Sequence, residues 1–243
     1  MHKQTGISMI ELMVALLISS FLILGVTQVY LDNKENYLFQ QGQGNNIENA
    51  RFSILIIDQQ LSKTGYRRRP DETFESAFPA TADCGNMSAG QTVKKVDDSS
   101  FCIRYQPAFT NAKTCDGNDI NNIPTKPYLK ADPVTEVFTL QDNGDSTLNL
   151  TCRGVVIATN IAAIRFEYGF NSGDEKKISE YSADPEDGRT IRAIQFSILA
   201  TSTNEITKSN SSMAYKHWFG NEPTDHKLYT MLSSSSSIRN LMP

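Results

Sequence analysis

The chain has 243 residues, 39% of them hydrophobic and 21% charged, with a formal net charge of −4. That length and apolar content support a single sizeable core, and a pI near 5.4 argues against a general nucleic-acid-binding surface. Four cysteines without a CxxC spacing, and three scattered histidines (His2, His217, His226), argue against a zinc site.

Met1 to Gly6 form a polar leader carrying Lys3. At Ile7 the character changes, and Ile7-Ser8-Met9-Ile10-Glu11-Leu12 opens an apolar run that continues to about Leu31. The 20 residues from Ile7 to Val26 make a helix about 30 Å long, enough to cross the hydrocarbon core of a bilayer. A secretory signal places its small-residue cleavage site after the apolar stretch. Here the run passes directly into Tyr30, Leu31 and Asp32 with no Ala-x-Ala pattern. Glu11 lies inside the run, where an unpaired carboxylate is expensive, so it reads as functional; a plain anchor would not need it. Lys3 ahead of the run favours a cytoplasmic N-terminus, which puts the chain after residue 31 on the far side of the inner membrane.

Helical periodicity resumes beyond the apolar run. Ile47, Ala50, Ile54, Ile57 and Leu61 recur at spacings of three and four, one stripe of an amphipathic helix. Between them lies the softer stretch Gln40-Gln41-Gly42-Gln43-Gly44-Asn45-Asn46, whose glycines each weaken a helix by roughly 1 kcal/mol relative to alanine. The pattern predicts one helix from Ile7 to about Lys63 with a bend or melted stretch near Gly42–Gly44. Gly65 is positioned as its C-cap and Pro70 as its stop. Arg67-Arg68-Arg69 follow that end; they read as a solvated basic face complementing the helix dipole, with contact to DNA as the competing reading.

Residues 70 to about 100 read as irregular. Strand signals follow at Phe101–Tyr105, Glu136–Leu140 and Thr147–Arg153, the last two joined by the turn Asp142-Asn143-Gly144-Asp145. Ile161–Tyr168 and Ile191–Thr201 are two further strands, with a turn at Pro185-Glu186-Asp187-Gly188 between them. Ser233–Ser237 reads as low-complexity. Helix first and strands afterwards is an α+β order, a long N-terminal helix packed on an antiparallel sheet. The organisation expected is a leader over residues 1–6, a hydrophobic transmembrane helix over 7–31, its amphipathic continuation over 32–65 and a globular extracytoplasmic head over 66–243.

Cys84, Cys102, Cys115 and Cys152 all fall in the extracytoplasmic part, where an even count reads as two disulfides. Of the three pairings, Cys84–Cys102 with Cys115–Cys152 joins sequence neighbours and is the one expected. Acidic loops at Asp116–Asp119, Asp142–Asp145 and Asp184–Asp187 offer oxygen ligands, but none has EF-hand spacing, and turn chemistry explains Asp, Asn and Gly equally well. No nucleophile elbow, P-loop, Rossmann glycine pattern or HExxH occurs, so neither catalysis nor a cofactor or metal is expected. Trp218 and Phe219 beside His217 read either as a contact patch or as core.

The short basic leader, Gly6, the hydrophobic stretch and Glu11 five residues after that glycine resemble the N-terminus of type IV pilins and pseudopilins. The resemblance implies cleavage between Gly6 and Ile7 by a prepilin peptidase, N-methylation of Ile7, and assembly through Glu11 as the fifth mature residue. Pilins usually carry Phe where Ile7 stands. Val155–Ile157 through Ile161–Gly169, Ile191–Thr201, Ser237–Asn240 and Asp58–Tyr66 resemble, each weakly, sections of PilW-type minor pilins and of the J-type minor pseudopilin of type II secretion. The partners implied are other minor pilins, the major pilin, a tip adhesin, the prepilin peptidase and the inner-membrane assembly platform. Some pseudopilins bind calcium and some type IV pili take up DNA; no direct nucleic-acid ligand is expected here.

Overall fold

The computed structural model describes residues 8–144, 147–173 and 175–242. The first element, α1 (Met9–Lys63), is a single helix of 55 residues, about 80 Å long. It is continuous through Gly42 and Gly44, so the melted stretch considered there is absent. A Cβ on Gly42 would lie 2.0 Å from Cδ1 of Ile206, whereas one on Gly44 would meet nothing within 4 Å. Gly42 therefore lets a loop of the head pack onto the helix backbone, and that contact supports the helix where its intrinsic propensity is weakest. The helix ends at Lys63 with Thr64 as its C-cap, and Gly65 follows at φ +71°, donating its N–H to the Arg104 carbonyl at 2.9 Å.

Two short turns follow, α2 (Phe74–Ala77) and α3 (Asp83–Asn86), the second holding Cys84 in the left-handed region. The strands are β1 (Val93–Asp97), β2 (Ser100–Tyr105), β3 (Val134–Asp142), β4 (Leu148–Cys152), β5 (Val155–Phe170), β6 (Glu180–Ser182), β7 (Ala193–Thr201) and β8 (Tyr229–Ser237); α4 (Met213–Phe219) precedes β8. They form one antiparallel sheet in the order β1-β2-β3-β4-β5-β7-β8, with β6 on the end of β5. Arg153 and Gly154, both at positive φ, close the two-residue turn between β4 and β5. β5 changes partner along its length: Val155–Ile161 pairs with β4 and Ile161–Gly169 with β7. Asn160, at φ +59°, sits beside that switch.

The core lies between α1 and the sheet. Ala50, Ile57 and Leu61 of the predicted stripe are buried, joined by Ser53, and they face Phe101, Phe138, Phe166, Phe196 and Ile198. Phe101 stacks on Phe138 at 5.0 Å and meets Phe166 edge-on at 4.8 Å. β2 is buried along its whole length: its other face carries Cys102 and Arg104, covered by the 78–92 segment.

Ser233–Ser237, read as low-complexity, belongs to β8, which pairs with β7 along all nine of its residues without a bulge. Its serines alternate between a face turned to α1, where Ser236 is buried, and a face turned outward. Small side chains let α1 lie close to this strand, and α1 touches β8 more extensively than any other strand.

Candidate functional site

The candidate site is the first half of α1. Every residue from Met9 to Tyr37 is exposed, including Phe21, Leu24, Val26 and Tyr30. The helix is long and apolar enough to cross a membrane. Two of its hydroxyls are satisfied internally: Ser20 Oγ donates to the Leu17 carbonyl and Thr27 Oγ1 to the Ile23 carbonyl, each at 2.7 Å. Glu11 lies in the first turn, where a carboxylate suits the helix dipole. It makes no hydrogen bond or ion pair among the described residues, so none of them compensates its charge. Gly6 and Ile7, the expected cleavage and methylation positions, lie outside the described residues.

The head takes hold of α1 where charges reappear. Lys208 pairs with Glu35, and Asn46 Nδ2 donates to the Leu228 carbonyl at 2.7 Å. From there to Lys63 the helix serves the head core, so one helix divides into a partnerless apolar half and a packed half.

The cysteines are joined as Cys84–Cys102 and Cys115–Cys152. Glu136, wholly buried beside the second bridge, accepts from the Tyr105 hydroxyl at 2.7 Å and from the Cys115 N–H at 2.8 Å. Burial, and then Glu136, push the Tyr105 phenol far above its ordinary value. Cys115, Cys152 and Glu136 cluster closely, but both sulfurs are consumed in the bridge. Glu136 shares the inward parity of Phe138 and Leu140 on β3, a signal the alternation carried and the sequence reading did not use.

The basic run after α1 is not a solvated face. Arg68 is buried and donates to the carbonyls of Leu129, Pro107, Ala108, Pro124 and Lys126. Arg67 lies over the Phe74 ring at 3.9 Å, and Arg69 pairs with Asp71 at 2.6 Å. Two of the acidic loops are likewise occupied by their own chain, while the third, Asp142–Asp145, ends at a residue outside the described ones. Asp116 accepts from Thr114 and Asn118, and Thr114 first holds its carboxyl below the usual range. Asp184 pairs with Lys95 at 3.2 Å, and Glu186 with Arg189 at 2.9 Å. Trp218 is half-buried with Arg165 over its ring at 5.0 Å, while His217 and Phe219 are exposed.

Residues 1–27 match the family model of the prokaryotic N-terminal methylation motif. A solved structure, the type IV-like pilin TTHA1219 from Thermus thermophilus, is similar over 80% of this chain and 97% of its own, at 9% identity and a TM-score of 0.46. No curated protein sequence matches the chain significantly. The chain thus carries the N-terminal methylation motif at the start of an exposed apolar helix whose second half packs on an antiparallel-sheet head.

Proposed function

We propose that this chain is a minor pilin of the PilW type, which joins other minor pilins in a complex that initiates type IV pilus assembly and stays at the pilus tip. The observation that carries the reading is the methylation motif together with an exposed apolar helix half that contains Glu11, a carboxylate with no partner among the described residues. Before assembly the apolar half lies in the inner membrane, with the N-terminus cytoplasmic and the head periplasmic. The prepilin peptidase cuts between Gly6 and Ile7 and methylates the new amine. The helix then exchanges lipid for the helices of neighbouring pilins, burying the same apolar surface. In that bundle Glu11 pairs with the Ile7 amine of a neighbour, because a desolvated carboxylate requires a cation. The pairing sets the axial stagger of adjacent subunits, and the work is structural rather than catalytic.

The mature chain, about 237 residues once six are removed, is long for an abundant major subunit, which favours a minor role. The head offers surfaces to other minor pilins, to the major pilin and to a tip adhesin, and the pili serve twitching, adhesion or DNA uptake. The sections resembling PilW-type pilins also resemble the J-type minor pseudopilin, which makes a type II secretion pseudopilus the second reading. Deletion of the gene, scored for surface pili, twitching and secreted hydrolase activity, separates the two. Loss of pili with normal secretion is expected. Loss of secretion with intact pili would move the chain to the pseudopilus, and no change in either would overturn both.

A further inference from the structure

At the end of the head where α1 stops, a cavity of about 450 Å³ opens between the residues after that helix, the segment leading into β7 and the C-terminal turn. Among the described residues four cations line it, Arg67, Lys176, Arg189 and Arg192, against one carboxylate, Glu75. Arg192 is only 7% exposed. Its Nη1 donates to the Leu241 carbonyl at 2.6 Å, its buried Nε has no acceptor, and nothing among the described residues accepts from its Nη2. A guanidinium this deeply buried, with only a neutral carbonyl for company, lacks the anion that such a group ordinarily requires.

The other cations are held without being used up. Arg67 is fixed over Phe74 and gives Nη1 to the Glu72 carbonyl. Arg189 is braced by Glu186 and by the Ser172 carbonyl at 2.7 Å. Lys176 is exposed and makes no ion pair among the described residues. Planar guanidinium forks match oxyanions in charge and shape, and the cavity volume lies in the range of small-molecule sites, well above that of a bare inorganic ion.

We propose that this cavity binds a small organic oxyanion, its carboxylate or phosphate seated on Arg192 and Lys176 and its body filling the remaining volume. The site is separate from the apolar half of α1 and gives the head a recognition role of its own.

The test is calorimetric titration of the full mature chain in detergent micelles with glucuronate, glucose 6-phosphate and neutral glucose. Saturable binding of one or both anions without glucose binding is expected; which anion binds tells carboxylate from phosphate recognition. Lys176→Ala, a surface change outside the core, should weaken that binding about tenfold. Arg192→Gln should abolish it. Because Arg192 also anchors Leu241, thermal melting of that variant checks its fold, and Arg192→Lys should retain part of the affinity if charge is what binds. No heat with either anion would overturn the proposal, as would equal binding of glucose or unchanged affinity in Lys176→Ala and Arg192→Lys together.

Discussion

Arg68 donates to five backbone carbonyls spread from Pro107 to Leu129 and ties down the longest irregular stretch of the head. Removing it leaves several inward carbonyls without a donor, so Arg68→Ala should cost about 3 kcal/mol of stability. Arg69→Ala, which breaks only the exposed Asp71 pair, should cost below about 1 kcal/mol. Denaturant unfolding of the full chain measures both, and equal losses would return the three arginines to a solvated face. The run Arg67-Arg68-Arg69 looks uniform in sequence, because nothing local reveals which guanidinium meets a loop that begins 39 residues later. Glu11 was the opposite case. The assembly role proposed for it rests on the apolar residues around it, which are local in the sequence. Glu11→Ala should leave cleavage intact and block incorporation into pili, read by immunoblotting sheared pili against membranes; normal incorporation would remove its assembly role.

At the scale of elements, α1 was legible from periodicity, as were five of the strands, because each carries an apolar run or alternation. No melted stretch occurs at Gly42–Gly44, and propensity alone does not show Ile206 arriving against Gly42. The two glycines make a paired prediction. Gly44→Ala fills open space and should stabilise the helix by up to about 1 kcal/mol. Gly42→Ala should gain about 1 kcal/mol less, because Ile206 must move, and the gap should close in an Ile206→Ala background. Thermal melting of the four variants checks this; equal gains at both glycines would contradict the close approach. β8 escaped the sequence reading because serine has weak strand preference, and its placement depends on pairing with β7 and on α1 lying over it.

For the whole molecule, the head is stapled twice, across 18 and 37 residues. On a chain-entropy account those loops contribute about 3 and about 4 kcal/mol at most. Reduction should therefore lower the melting temperature of the head markedly, with the larger effect in Cys115→Ser/Cys152→Ser. Acid should do the same by another route. Glu72, hydrogen-bonded by Lys130, and Asp116, hydrogen-bonded by Thr114, are both held below the usual carboxylate range. Their stabilisation is fully present above the unfolded value near 4 and lost as pH falls through the folded values. Melting temperature should be flat from neutral to about pH 5 and decline below about pH 4; a rise on acidification would contradict this. The cysteine pairing could be guessed from spacing. The burial of Glu136 beside it is signalled only by its parity with Phe138 and Leu140, and the cation-lined cavity carries no local signal, since it assembles from segments far apart in the chain.

Processing of the N-terminus separates a pilin from an uncleaved anchor. Mass spectrometry of the chain recovered from sheared pili and from membranes should find a mature form beginning at N-methylated Ile7, lacking the six residues from Met1 to Gly6. A chain that retains Met1–Gly6, or one cut after Leu31 and released from the membrane, would contradict it.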